Sequence, residues 1–168
     1  LLRDGTNNLQ PPQHQERQPG IESEMEPRPL SKAREYLSAG KLKDRVALIT
    51  GGDSGIGRSI AIMYAKEGAD VAVVYLDEHN DAKETKRLVE QTGRKCLLIS
   101  GDVKDYHFCE EAVEKTFQHF GKLNILVNNA GVQYPQERLE DISNQQFHNT
   151  FQTNMFSFFY ITRYALRY

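Results

Sequence analysis

Arg45–Ala65, RVALITGGDSGIGRSIAIMYA, decides how the rest of the chain is read. Val46, Ala47, Leu48 and Ile49 form a short apolar run without polar alternation, the pattern of a strand covered on both faces in a parallel sheet. Gly51, Gly52, Gly55 and Gly57 crowd into the next residues, and Ile56, Ile60 and Tyr64 then recur at helical spacing with Ala61 and Met63 beside them. The order is strand, tight turn, helix. Glycine in such a turn permits positive φ and close approach of a ligand to the backbone, while the free amides and dipole of the helix start attract an anion. The turn is a candidate phosphate seat, and a side chain at Gly57 is expected to enter the ligand's path. Glycines also punctuate ordinary strand-to-helix turns, so spacing must carry the argument. Gly52–Ser59 falls one residue short of the P-loop pattern G-x-x-x-x-G-K-S, because Arg58 stands where the lysine belongs; a nucleotide hydrolase is disfavoured.

Downstream, strand and helix alternate as in a doubly wound sheet. Gly68 closes the first helix and Asp70–Tyr75 reads as a second strand. Asp77 lies at the distance beyond Gly57 where dinucleotide folds place an acid for the adenosine ribose; it could equally cap the next helix, expected over Asp81–Thr92 with Ala82, Leu88 and Val89 inward. Lys95–Ser100 is a third strand, running into Gly101-Asp102-Val103. Asp105 opens a helix with Cys109, Val113, Thr116, Phe117 and Phe120 on one side, ended by Gly121. Leu123–Val127 is a fourth strand, followed by Asn128-Asn129-Ala130-Gly131. In the last segment Ser143 and Gln146 have capping-box spacing, and Phe147, Phe151, Asn154, Phe158, Ile161 and Ala165 fall on one helical stripe. Asn154 is the polar exception there, so it is expected to have a hydrogen-bonding task, structural or catalytic.

Residues 1–40 differ in composition. Pro11, Pro12, Pro19, Pro27 and Pro29 interrupt a glutamine-rich stretch with almost no apolar periodicity, which predicts an extended or flexible arm. Residues 41–168 are then one partial α/β domain. A net charge of −2 argues against nucleic-acid binding, and no apolar run approaches the ~18 residues of a membrane span. Without an initiating methionine or a secretory signal, the chain reads as clipped at its start and cytoplasmic. Cys96 and Cys109, without C-x-x-C spacing, read as buried free thiols, and the five histidines show no ligand pairing, so no metal site is expected.

Thr50–Gly57, TGGDSGIG, resembles the TGxxxGIG signature of the short-chain dehydrogenases and reductases, and NNAG at Asn128–Gly131 is similar to a second signature of that family. The segment TNMFSFF resembles the family stretch that carries a catalytic asparagine. PPQHQERQPGIESEMEPRP resembles the N-terminal extension of a bacterial subgroup, the general-stress-protein and glucose or ribitol dehydrogenase-like oxidoreductases, in which it would lie along the body with Ile21, Met25 and Leu30 as anchors. The resemblance implies a Rossmann-type doubly wound parallel sheet with strand order 3-2-1-4. It implies a nicotinamide dinucleotide held by Thr50, Gly51, Ser54, Gly55, Ile56, Gly57, Asp77, Asp102, Val103, Asn129, Ala130 and Gly131. The first asparagine of NNAG would steady the sheet, and Asn154 would be the visible member of an Asn-Ser-Tyr-Lys catalytic set. NAD is favoured over NADP because Asp77 is acidic, Ser54 brings no positive charge, and Leu76 stands where many NADP-using relatives have arginine. The substrate class implied is an alcohol or carbonyl compound, and the helix around Phe156 and Tyr160 would pair in a homo-oligomer, dimer or tetramer. No tyrosine stands four residues before any lysine in this sequence, so the chain reads as the cofactor portion of the enzyme and is expected to be inactive alone. The alternatives are a non-catalytic dinucleotide-binding protein and an inactive truncated product.

Overall fold

The computed structural model describes residues 15, 17–27, 29, 31 and 36–168. Its centre is β1 (Val46–Thr50), every residue of which is buried. Parallel pairing places β2 (Asp70–Tyr75) on one side of it, with Val46 opposite Asp70 and Thr50 opposite Val74, and β4 (Ile125–Val127) on the other. Beyond β2 lies β3 (Cys96–Ser100), giving the expected order β3-β2-β1-β4. Alternation along β1 sends Ala47 and Ile49 to one face and Leu48 to the other. Ala47 and Ile49 join Val71 and Val73 against Ala61 and Ala65 of α1 (Gly55–Lys66) and Ala82 and Val89 of α2 (His79–Glu90). Leu48 joins Ala72, Val74 and Ile99 against Cys109, Ala112 and Val113 of α3 (Tyr106–Phe120) and Ile161 and Tyr164 of α5 (Ser157–Ala165). Each fully buried Val, Leu or Ile contributes about 1.5–3 kcal/mol, so this double-sided burial is the main force holding the strand ends in place.

The element boundaries follow local chemistry. The Asp105 carboxylate accepts from the His107 amide, capping α3, and Gly121 ends that helix at φ 75° with its amide on the Phe117 carbonyl. The capping box of Ser143 and Gln146 opens α4 (Asn144–Phe151). β4 starts two residues later than the sequence predicts, because the Asn124 side-chain oxygen, not a backbone carbonyl, accepts from the Val46 amide at 3.1 Å. α2 begins at His79 instead of Asp81; Glu78 is its N-cap residue, without a side-chain cap bond, so Asp77 does not cap it.

Between α4 and α5 the helix runs through a π-helical turn, Gln152–Phe156. The wider turn slides the inward register by one residue: Thr153 and Ser157 are buried where Asn154 and Phe158 were expected, while Ile161 is buried as expected and Tyr164 joins it. Phe147 and Phe151 are exposed.

Among the described residues of the arm, one deeply buried anchor is a charge. Ile21 and Met25 are only half-buried, and Leu30 lies outside the described residues. Glu22 is 7% exposed: its carboxylate pairs with the buried Arg58 guanidinium and accepts from the Gly55 amide, and its own amide donates to Asp81 at 2.9 Å. Arg58 also donates to the Asp53 carbonyl at 2.7 Å and to Thr85 at 2.8 Å. Such saturation is what lets a charge pair stay in the interior.

Candidate dinucleotide site

The glycine turn, the ends of β2 and β3 and the loop after β4 meet at the C-terminal edge of the sheet, the place where doubly wound folds receive ligands. A cavity of about 310 Å³ opens there, bordered by Gly51, Ser54, Gly55, Ile56, Asp102, Val103, Asn129, Ala130 and Gly131 among the residues singled out from sequence. A second cavity, about 720 Å³, adjoins it, sharing Gly131, Val132 and Tyr134, and Asn154 lies on its wall. Three predicted residues stand outside these linings. Thr50 is buried behind the turn, its hydroxyl accepting from the amides of Asn129 and Ala130, each at 3.0 Å. Gly57 faces the sheet. Asp77 is turned to solvent and holds Arg17 at 2.5 Å.

Gly57 has a packing task. A Cβ there would stand 1.9 Å from the Gly51 carbonyl oxygen and 2.7 Å from the Asn129 side-chain nitrogen, so its hydrogen permits α1 to approach the turn. The first amide of α1, on Gly55, is taken by Glu22; the amides of Ile56 and Gly57 have no partner among the described residues. Ile56 itself is 74% exposed at the cavity.

The NNAG segment divides its labour otherwise than the resemblance implied. Asn129, the second asparagine, ties β4 to β1 by donating to the carbonyls of Thr50 at 3.0 Å and Gly51 at 2.8 Å. Asn128 donates to Thr162 of α5 at 3.0 Å. Asn154 has the hydrogen-bonding task its position demanded: its oxygen accepts from the Val132 amide at 2.8 Å and its nitrogen donates to the Val132 carbonyl at 2.9 Å. The π-helical turn thereby pins the loop that separates the two cavities.

Three carboxylates give the smaller cavity its charge. Burial pushes the Asp53 carboxyl up, and a hydrogen bond from Ser54 works against that. Burial, then the hydrogen bond with Asp77, pushes the Glu78 carboxyl up to about 7, although Arg17 lies 2.8 Å away; the same pairing with Glu78, followed by Arg17, holds Asp77 below its ordinary value. Asp102 pairs with Lys104 at 3.3 Å.

The short chain dehydrogenase family profile matches residues 45–168. The chain belongs to that family. Over 158 residues it is 61% identical to general stress protein 39 of Bacillus subtilis (strain 168), covering 94% of this chain and 55% of the relative. It is 40% identical over 164 residues to the glucose and ribitol dehydrogenase of Daucus carota, covering 94% and 56%. Among solved structures, a short chain dehydrogenase of Burkholderia cenocepacia J2315 in complex with NADP superposes at TM-score 0.73 with 34% identity, over 76% of this chain and 52% of that one. A carveol dehydrogenase of Mycobacterium avium in complex with NAD superposes at 0.72 with 27% identity, over 77% and 50%. The chain spans about half the length of the curated relatives it matches.

As a short-chain dehydrogenase chain, it carries site residues that the sequence reading passed over. Glu78, adjacent to Asp77, is the acid that borders the cavity, and Asp53, Tyr75, Tyr134, Gln18 and Pro19 border it too. The acid pair Asp77-Glu78 was visible, but spacing alone cannot say which of two neighbours turns inward. Nothing local marks Gln18 and Pro19.

Proposed function

We propose that this chain is the cofactor-holding portion of an oxidoreductase that moves a hydride between a nicotinamide dinucleotide and a carbon of a small alcohol or carbonyl compound, sugars and polyols foremost. The observation that carries the proposal is the pair of adjoining cavities at the strand ends, framed by the glycine turn on one side and the NNAG loop on the other. A dinucleotide fits this frame. The amides of Ile56 and Gly57, without a partner among the described residues, suit a pyrophosphate, and Asp102 and Val103 suit an adenine edge and face. When bound, the nicotinamide supplies the hydride acceptor or donor. Around it the chain's own groups bind and orient: Asn129 fixes the turn, and Asn154 holds Val132 and the wall of the larger cavity. Asn154 is proposed as a catalytic residue of the complete enzyme, where its amide can order a water but cannot itself titrate in the working range.

NAD is the proposed preference, with Glu78 in place of Asp77 as the acid nearest the ribose. Above about pH 7, where Glu78 is ionised, a 2′-phosphate entering beside it would meet like charge in a poorly solvated place. The names of the relatives, which include a glucose and ribitol dehydrogenase, support the substrate class. The exposed Met155, Phe156 and Phe159 support pairing with a second copy, as a dimer or tetramer.

Calorimetric titration with NAD and NADP, on this chain and on the chain continued to the length of its relatives, tests the proposal. Turnover of sugars, polyols and simple alcohols is followed in parallel by nicotinamide absorbance. The expected result is tighter NAD binding by both and turnover by the longer chain alone. Tighter NADP binding overturns the preference; binding of neither cofactor overturns the reading. Turnover by the 168-residue chain overturns the assignment of catalysis to residues it does not contain.

A further inference from the structure

The family match begins at residue 45, yet residues well before it reach the candidate site. Gln18 borders both cavities and Pro19 borders the smaller one. Two ionic fastenings flank them. On one side Arg17 bridges Asp77 at 2.5 Å and Glu78 at 2.8 Å; on the other Glu22 is locked into Arg58, the Gly55 amide and Asp81. Gln15 clasps the backbone of Ile21, donating to its carbonyl at 2.9 Å and accepting from its amide at 2.6 Å, so residues 17–20 are held in shape.

We infer that the N-terminal arm is a binding element of the dinucleotide site, with Gln18 and Pro19 contacting the ligand where the two cavities meet and Arg17 acting as the positioning residue that fastens them there. The inference rests on the dinucleotide reading above and adds a wall to it from outside the nucleotide-binding fold.

Placement and chemistry agree. Gln18 offers donors and an acceptor without charge, which suits sugar hydroxyls and phosphate oxygens alike. Pro19 offers an apolar face to the cavity that Leu76 and Val103 also border. Arg17 faces the outer side of the acid pair while Glu78 borders the cavity, so the guanidinium can hold the arm without entering the space of the ligand. It also offsets the negative charge beneath the ribose. Contacts added to a formed site act mostly on the rate of release, so the contribution of the arm falls chiefly on dissociation.

The test compares wild type with Arg17→Ala and Gln18→Ala, using NAD as the probe, calorimetry for affinity, stopped flow for dissociation, and thermal melting without ligand. Trypsin cleavage after Arg17 is timed with and without NAD. The expected effect is roughly a fivefold weaker affinity, the size of one contact at the rim of a site. Both variants should show a loss of that order through faster dissociation, with unchanged melting, and Arg17→Lys should recover part of it. NAD should slow the cleavage of the wild-type arm. If wild type binds NAD while both variants bind and release it unchanged and NAD gives the arm no protection, the arm inference falls and the dinucleotide reading stands. If wild type binds neither NAD nor NADP, the underlying reading itself falls.

Discussion

Gly57→Ala adds a single methyl at the closest approach found for any described glycine. Its Cβ would sit 1.9 Å from the Gly51 carbonyl oxygen, against about 3.4 Å for ordinary contact, so α1 must withdraw from the turn by more than about 1 Å. Ile56 and Gly57 open α1, so that withdrawal displaces the amides proposed for the pyrophosphate. It also pushes the Asn129 side chain, 2.7 Å from the new carbon, off the carbonyls of Thr50 and Gly51. Overpacking of this kind costs about 1–3 kcal/mol, and two displaced hydrogen bonds add about 0.5–1.5 kcal/mol each. The sum, of the order of 4 kcal/mol, is a large fraction of a domain's usual stability of about 5–15 kcal/mol. Urea denaturation at fixed pH reads the cost, and NAD titration under folding conditions reads the displaced amides. A variant within about 0.5 kcal/mol of wild type and with unaltered affinity would refute the close-approach argument. A stable variant that has lost only NAD binding would restore the simpler idea that a side chain there blocks the ligand.

Glu78 should make stability depend on pH. Its carboxyl is held up to about 7 against an ordinary 4.5, so the folded chain keeps a proton that the unfolded chain releases; the stabilisation is complete below about 4.5 and is lost as pH rises through about 7. Glu78→Gln should flatten a fall worth at most on the order of 3 kcal/mol, read from urea midpoints across that window, and an unchanged slope would place the proton elsewhere. Asn154→Ala removes both bonds to the Val132 backbone and should lower stability by about 1–3 kcal/mol; in the chain continued to its relatives' length, kcat should fall more than KM rises, and a change in KM alone would leave Asn154 a purely structural residue. Burial pushes the thiols of Cys96 and Cys109 up to about 12, so neither should react with a thiol reagent near neutral pH until the chain unfolds, and prompt labelling of the native protein would contradict their burial.

The sheet was legible because its causes are local. An apolar run, a glycine cluster and a helical stripe lie next to each other at Val46–Ala65, and the same grammar repeats through β2 and β3. Where one local cause replaced another the reading slipped: the Asn124 side chain stood in for a backbone acceptor and shortened β4, and the π-helical turn moved the inward stripe from Phe158 to Ser157. The arm was illegible for another reason. One glutamate among several in a polar, proline-rich segment has no periodicity to betray it, and the meaning of Glu22 depends on Arg58 and Asp81, which only the folded chain brings beside it. Glu78 shows the same limit at the scale of one residue.

The two fastenings of the arm differ in their contact with water. Arg17 and Asp77 are 43% and 57% exposed, whereas Arg58 and Glu22 are each 7% exposed. Mobile ions at about 1 M shrink the reach of exposed charges to about 3 Å but scarcely enter a buried pair. Ionic strength should therefore act on the arm as a graded peel, loosening the turn at Gln18 and Pro19 while Glu22 stays seated as a pivot.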